Sequence, residues 1–512
     1  MNTTTMAFGL GAVVVLICLI DAAIWNGRGR QTLYKFFLME GQLKLGGFVG
    51  TIVAANLSLG NFIVFICTWG YNFGFAGIVF FVCNLLLNVL GFLFFLPRFR
   101  SYIEDHANNG TIHDYLSRAY GGDPHSRPAS RIRFSASLVT IVCLTLAMVF
   151  ELSLAVQLLH PTNLVQTIYL FGGLAGLIAL FTAYGGFKTL ITSDIANAAI
   201  LVAGLGCLIF FVYDYSSSTN TLPMRLSLTA QDVQNLGWPS IVSIFLIGSG
   251  WMLVAMDQWQ RTCASRSFQV TFRGMLAYFF ILILFAVTFA TWGAFDHSVM
   301  PTLIGPAAAK ELSGGTNPLV DISALPVVGN GKFVIMFILS SLVFAGVSTT
   351  NTFLNVCSHS LTTDILVGSL AHKEMSELTD KQNRLYVGLG RAIIIGLAAV
   401  LVVVFAIFTT LGLLKDPLSF FYITYSVQFA LLAPMVLSIL PKRFRPPPSA
   451  ALLSIYLGFF VAITVGLGAW FLMQPGGPDM ILGLKPGDWE TLTPVVTLGI
   501  GLVPLLLTIG RR

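Results

Sequence analysis

Apolar stretches separated by short polar segments recur along the whole chain. Each stretch has about 20 residues, the length that an α-helix needs to cross roughly 30 Å of hydrocarbon. The stretches are 7–26, 47–70, 75–97, 134–157, 165–185, 190–214, 237–257, 274–295, 333–364, 388–413, 418–440, 450–472 and 492–510. The pattern predicts an all-α polytopic membrane protein with 13 transmembrane helices, called spans 1 to 13 below.

Composition supports a membrane protein. Of the 512 residues, 56% are hydrophobic and only 10% are charged, which excludes an ordinary soluble domain. The segment before span 1, Met1 to Thr5, has no basic residue, so we expect span 1 to be retained rather than cleaved as a signal peptide. The sequence contains neither a CxxC nor an HExxH motif and no evident pairing of a nucleophile with a base, so we do not expect an enzyme.

The basic residues predict how the chain is oriented in the membrane. With the N-terminus outside, 23 of the 28 lysines and arginines lie in inside loops, where positive charge is retained during insertion. Five lie outside: Arg225, Lys310, Lys332, Lys415 and Lys485. This asymmetry places the C-terminus inside. It also accounts for the net charge of +6 without a nucleic-acid surface.

Span 9 contains five consecutive polar residues, Ser348 to Thr352, inside an apolar stretch. A single hydroxyl in a membrane helix usually bonds to the carbonyl four residues earlier. Five together exceed what that explanation covers, because hydrocarbon does not solvate unpartnered polar groups. Positions 345, 348, 349 and 352 share one helical face, which favours a binding site there.

Two spans carry small and polar residues where a helix is expected to break. Span 2 has Ala54 to Asn61 near mid-membrane, and span 7 has Gly248-Ser249-Gly250. For any single glycine, close helix packing is the simpler explanation. Two breaks at corresponding positions are typical of transporters built from inverted repeats around a midplane site.

These breaks divide the chain into parts. We expect an extra N-terminal helix and loop over 1–46, a first repeat over 47–214, a second repeat over 237–440 and two peripheral helices over 450–512. All belong to one integral membrane domain. The loop over 98–133 is long enough for a short helix that acts as a lid.

Glu151 lies within span 4, between Phe150 and Leu152. A carboxylate in the membrane is costly and is a functional candidate by default. Three roles fit the sequence: binding an amino group of a solute, carrying a coupling proton, or a bond to a neighbouring helix.

Several motifs, taken in order, resemble the sodium:solute symporters, which include sodium/proline, sodium/sugar and sodium/sialic acid transporters. The resemblance covers nearly the whole chain. Its motifs are Ala54-Ala55-Asn56-Leu57-Ser58, Thr111 to Leu116 before Tyr120-Gly121, Tyr184 to Lys188 with Asp194, Asp257 to Arg261, and Ala345 to Asn355 followed by Asp364-Ile365.

The resemblance implies a LeuT-type fold, with five helices in each of two inverted repeats, and one or two bound sodium ions. The first sodium would lie between spans 2 and 9, on the carbonyls of Ala54, Leu57 and Ala345 and the hydroxyls of Ser348 and Thr349. Sodium, a hard cation, prefers such oxygen ligands.

Some family members have a second sodium site, which would fall here on Asp194, Asn351 and Thr352. Asparagine replaces a hydroxyl residue at 351, which leaves the sodium stoichiometry open. Asp194 equally fits a structural role, reaching water or pairing with Lys188.

By analogy, the solute site would draw on residues from spans 2, 4, 7 and 11, with aromatic walls such as Phe62 and Trp69. The candidates are Asn56, Asn61, Glu151, Trp251, Ser426 and Gln428. Amides and an acid favour a small polar solute bearing an amine.

The sequence therefore predicts a sodium-coupled symporter in the cell membrane that imports such a solute by alternating access. Its partners would be the solute and the lipid bilayer, with no obligatory protein partner. The alternatives are a proton-coupled transporter on the same scaffold and a solute-sensing membrane protein.

Overall fold

The fold is all-α in the part of the chain that the computed structural model describes, residues 3–26, 32–105, 109–219, 234, 236–304, 319, 322, 331–414, 417–473, 480–481 and 484–509. Its α-helices are α1 (Thr3–Asn26), α2 (Leu33–Leu38), α3 (Leu45–Asn56), α4 (Phe65–Glu104), α5 (Ile112–Gly121), α6 (Arg127–Gln157), α7 (Leu164–Thr219), α8 (Trp238–Val254), α9 (Met256–Ala264), α10 (Phe268–Ile304), α11 (Gly331–His359), α12 (Asp380–Leu411), α13 (Pro417–Phe429), α14 (Leu432–Leu437), α15 (Pro448–Leu472) and α16 (Pro486–Leu506). Two π-helical segments, Leu59–Val64 and Ser360–Leu370, lead into α4 and extend α11.

Two of these helices are too long for a single crossing. At 1.5 Å per residue the 56 residues of α7 would span ~84 Å. A glycine with positive φ divides each of them, Gly74 (φ 50°) in α4 and Gly186 (φ 60°) in α7, a backbone conformation that costs glycine least. These kinks lie between predicted spans 2 and 3 and between spans 5 and 6.

Helix length and apolar composition give 10 membrane-spanning helices among the described residues, or 11 if the bent pair α8 and α9 is one span. Counting α7 as two crossings, and α3 with the start of α4 as one more, gives the predicted thirteen. That total, the orientation and the repeat boundaries remain predictions.

Span 2 breaks where it was predicted to break, but span 7 does not. Span 2 breaks at Leu57 and Ser58, within the predicted segment, whereas span 7 stays helical through Gly248-Ser249-Gly250 and bends by 44° at Ala255. The prediction for span 7 was therefore wrong. Gly248 and Gly250 serve close packing instead: a β-carbon at Gly248 would crowd the Asn84 backbone, and one at Gly250 would crowd Leu432.

Glycines also join α4 directly to α10 and α8. A β-carbon at Gly70 would overlap the Ala290 carbonyl oxygen, and one at Gly293 would overlap that of Cys67. A β-carbon at Gly91 would lie 2.6 Å from the Ser249 carbonyl oxygen. Because backbone touches backbone along these contacts, α4, α8 and α10 form one tightly packed group, which we call the glycine-packed group.

A second group consists of α6, α7, α11 and α12, which pack on one another beside α1. Helix α3 lies between the two groups and contacts α7, α10 and α11. Spans 2 and 9 therefore meet at the boundary between the groups.

Candidate functional site

The break in span 2 is a change of backbone path at two residues. Helix α3 ends at Asn56, Leu57 has φ −77° and ψ 47°, and Ser58 is extended. The chain resumes in the π-helical turn, where the Ile63 amide donates to the Ser58 carbonyl (3.0 Å). Since the last four carbonyls of a helix lack partners within it, Ala54 is left with a carbonyl suited to a ligand.

Glu151 holds this break in place. Its carboxylate is fully buried, and Oε2 accepts a hydrogen bond from the Gly60 amide at 3.0 Å. Gly60 also has no room for a side chain, because the Phe150 ring of α6 lies against it. Of the three roles open from the sequence, this geometry favours the bond to a neighbouring helix.

Helix α11 passes directly beside the break. A β-carbon at Gly346 would lie 3.5 Å from Leu59 and 3.0 Å from the Glu151 carbonyl oxygen. Ser348 and Thr349 are buried on this helix, and their hydroxyls donate to Asp194 Oδ1 (2.7 Å) and to the Ala345 carbonyl (3.1 Å).

A donated proton leaves the oxygen lone pairs of both hydroxyls available. Together with the carbonyl of Ala54, the described groups fit the oxygen ligands that sodium prefers.

Asp194 lies at the centre of a buried ion-pair cluster. Arg261 donates from Nη2 to Asp194 Oδ2 at 3.2 Å and from Nη1 to Asp257 Oδ2 at 3.3 Å, so one guanidinium serves two carboxylates. Its remaining donors reach hydroxyls, Nε to Thr51 (3.0 Å) and Nη2 to Thr352 (3.0 Å). Thr51 itself donates to Asp194 at 2.5 Å.

This cluster changes two expectations about Asp194. Lys188 does not pair with it, since the Lys188 ammonium lies 3.1 Å from Asp21. Asn351 does not point at it either: its amide accepts from Thr182 (2.5 Å) and donates to Ser193 (2.7 Å). Arg261 therefore occupies the position beside Asp194 and Thr352 where the resemblance suggested a second sodium.

Asp257 and Arg261 stand at i, i+4 spacing on α9, which places them on one helix face, and they form an ion pair at 3.3 Å. Both side chains are almost completely buried, because α9 lies inside the helix bundle. The sequence signal was present in their spacing. The missing information was that four helices, α3, α7, α9 and α11, meet at Arg261.

The bend at Ala255 has a polar support from α13. Gln428 donates from Nε2 to the carbonyl of Val254, the last residue of α8, at 2.5 Å and to Thr140 at 3.1 Å. Thr140 also contacts His113 Nε2 (2.8 Å), whose Nδ1 lies 2.8 Å from Asp364. The motif around His113 thus joins α5, the predicted short helix of the 98–133 loop, to this bend through continuous polar contacts.

A cavity of about 50 Å³ lies beside both breaks. At roughly 10–15 Å³ for each water, it has room for a few water molecules. Its lining comes from both halves of the chain: Ala55, Asn56, Ser58, Phe62, Phe65, Phe81, Asn84, Leu85, Asn88, Ile244, Ile247, Trp251, Asp257, Tyr278, Phe353, Phe421 and Tyr425. Only one carboxylate, that of Asp257, is among them.

The solute-site candidates divide into two groups. Asn56 and Trp251 line the cavity, as does the expected aromatic wall Phe62. Glu151 and Gln428 do not line it and instead support the two breaks, while Ser426 donates to the Tyr422 carbonyl at 2.6 Å. The side chain of Asn61 lies outside the described residues.

Comparison with known proteins assigns the chain to a family. The model of the sodium:solute symporter family matches residues 36–458, most of the chain. The chain belongs to this family. The symporter has no significant match among curated proteins.

Solved structures also match the symporter, and one of them matches over nearly its whole length. It is a Na+-coupled sialic acid symporter in a substrate-bound, outward-open state, with a TM-score of 0.67 and 16% identity over 99% of this chain and 98% of that chain. The manganese transporter of Eremococcus coleocola is more distant, at a TM-score of 0.47 and 14% identity over 90% of this chain and 92% of that chain.

The family model confirms the family, and the sialic acid symporter structure confirms the LeuT-type fold. The symporter is a multi-pass membrane protein with sodium as its coupling ion and a small molecule as its solute, and its relatives are transporters rather than enzymes.

Proposed function

We propose that this symporter imports a small polar organic solute with sodium by alternating access in the cell membrane. The observation that carries the proposal is the pairing of the broken span 2 with the hydroxyls of α11 across the boundary between the two helix groups. Sodium bound by Ala54, Leu57, Ala345, Ser348 and Thr349 would hold these groups together.

The same geometry links sodium to the solute. Ala55, Asn56 and Ser58 line the cavity directly beside the proposed sodium ligands Ala54 and Leu57. Sodium that orders this segment would therefore also order one wall of the solute site. Because such coupling is reciprocal, solute would tighten sodium binding by the same factor.

Arg261 supports a stoichiometry of one sodium for each solute. Its guanidinium already contacts Asp194 and Thr352, two of the three groups that would form a second sodium site. The third, Asn351, is turned towards Thr182 and Ser193. We expect the initial rate of uptake to rise with sodium concentration with a Hill coefficient near one.

Thermal unfolding in detergent tests the sodium site, comparing sodium with potassium at equal ionic strength. A ligand that binds only the folded state stabilises it, by about 2.7 kcal/mol at one hundred times its Kd. We expect sodium to raise Tm, and we expect Ser348→Ala combined with Thr349→Ala to remove that rise.

The control is Thr409→Ala combined with Thr410→Ala. These hydroxyls of α12 only donate to the carbonyls of Phe405 and Ala406, so the response to sodium should survive their loss. Equal Tm values in sodium and potassium for the wild type would contradict sodium coupling and would direct attention to proton-driven uptake.

A further inference from the structure

The cavity wall carries acceptor groups that protein donors do not satisfy. Among the described residues, Ser58 Oγ and Asn88 Oδ1 are buried and have no hydrogen-bond partner. Their side chains are only 3% and 7% exposed, and both line the cavity. A buried polar atom without a partner costs roughly 1–3 kcal/mol. The Asn88 amide oxygen can only accept, and the Ser58 hydroxyl can accept as well as donate, so a ligand that donates hydrogen bonds would satisfy both.

The charge of the cavity has one sign. Asp257 lines it, while no lysine or arginine does so within the described part of the chain. Arg261 contacts Asp257 but divides its single positive charge between that carboxylate and Asp194. A positively charged group in the cavity would meet favourable potential at Asp257 and no repelling side chain on the wall.

Aromatic rings complete the enclosure. Trp251 lies against Tyr425 with ring centroids 4.1 Å apart, and Phe421 lies 4.2 Å from Tyr425 and 4.3 Å from Phe65. Ring faces attract cations, most strongly where water is excluded. A carboxylate group would be repelled by Asp257, and sugar hydroxyls could donate hydrogen bonds to Asp257 but would lack the attraction between opposite charges.

We infer that the solute carries a protonated amino group, which lies against Asp257, Asn88 and Ser58 and is enclosed by the rings of Trp251, Phe421 and Tyr425. The inference rests on the proposed function and makes it specific. It also assigns the recognition of the amine to Asp257, where the sequence had suggested Glu151. Glu151 keeps the role of holding the break at Gly60.

The test uses matched pairs of small solutes that differ only in an ammonium or a hydroxyl group. The pairs are L-alanine with L-lactate, n-butylammonium with n-butanol, and ethanolamine with ethylene glycol. Tm is measured in sodium buffer for the full chain in detergent. We expect the ammonium member of at least one pair to raise Tm and its hydroxyl partner to leave Tm unchanged.

Variants then locate the effect. Asp257→Asn should weaken the response to the active amine by at least about tenfold in apparent affinity, because it removes the charge that faces the ammonium. Asn88→Leu should also weaken the response. Because this variant leaves the ion pair of Asp257 with Arg261 intact, it provides the test if Asp257→Asn does not fold. Asp21→Asn is the control, since Asp21 pairs with the partly exposed Lys188 and not with the cavity.

The outcomes separate this inference from the proposed function. If sodium stabilises the protein but no ammonium solute does, or if the hydroxyl partners act equally well, the amine inference is overturned and sodium coupling stands. If sodium itself has no effect, the proposed function fails first. An amine response that survives in both Asp257→Asn and Asn88→Leu would place the amine elsewhere.

Discussion

At the scale of single residues, the sequence identified most of the polar groups but not their partners. The hydroxyls of α11, Asp194 and Glu151 all stood out because polar groups are costly in hydrocarbon. Their partners come from distant segments, Arg261 for Asp194 and Gly60 for Glu151. Such contacts depend on how helices pack, and spacing along one helix cannot reveal them.

Arg261 offers the clearest test at this scale. Removing one partner from a buried ion pair leaves an uncompensated charge and costs about 3–5 kcal/mol. We expect Arg261→Gln to lower the free energy of unfolding by an amount of this order. Arg261→Asn should lower it by at least as much. Adding Asp194→Asn should recover part of the loss, because it removes one of the stranded carboxylates.

Equilibrium unfolding in detergent gives the free energies for this cycle. Lys188→Gln is the matched control, since its pair with Asp21 is about one quarter exposed and such pairs contribute about 0–1 kcal/mol. If Arg261→Gln lowers the free energy of unfolding no more than Lys188→Gln does, the cluster does not stabilise the fold as proposed.

At the scale of helices, local residues predicted one break and misplaced the other. Span 2 breaks where its polar residues cluster, at Asn56-Leu57-Ser58. Span 7 breaks at Ala255, between apolar residues, and no local glycine or proline marks it. Its support comes from another helix, through Gln428 at the Val254 carbonyl.

Gln428→Leu should therefore destabilise the bend. The substitution removes the donor to a buried carbonyl, at a cost of about 1–3 kcal/mol. We expect a lower Tm and slower uptake with little change in the solute concentration for half-maximal rate, because Gln428 does not line the cavity.

Ser426→Ala is the control on the same helix. Ser426 only returns a hydrogen bond to the Tyr422 carbonyl, so its loss should leave Tm and uptake nearly unchanged. A larger change in apparent solute affinity than in maximal rate for Gln428→Leu would instead favour the earlier expectation that Gln428 binds solute.

At the scale of the whole molecule, apolar periodicity was the most informative signal. It predicted the all-α fold, because thirteen stretches of the required length leave few other ways to satisfy the backbone in lipid. The order of the motifs predicted the family. The cavity could not be predicted in the same way, since its lining from Ala55 to Tyr425 is assembled only when both halves of the chain pack together.

The contact between α4 and α10 provides a test at this scale. A β-carbon at Gly293 would overlap the Cys67 carbonyl oxygen, so Gly293→Ala must push the two helices apart. We expect a loss of about 1–3 kcal/mol or more, the cost of overpacking, seen as a lower Tm.

Gly396→Ala in α12 is the matched control. No atom lies within 4 Å of the position that its β-carbon would take, and alanine favours a helix over glycine by about 1 kcal/mol. This variant should be neutral or more stable. A similar Tm for both variants would show that the glycine-packed group is looser than its geometry indicates.

The glycine contacts also separate two kinds of evolutionary change. A β-carbon at the glycines that join α4, α8 and α10 would overlap the neighbouring backbone, so these positions must stay glycine. The cavity-lining side chains of Asn88 and Trp251 project from the same helices and are not part of those contacts. A relative could therefore exchange the cavity side chains and acquire a new solute while it keeps the contacts between these three helices. Members of one family can then transport different solutes with the same helix packing.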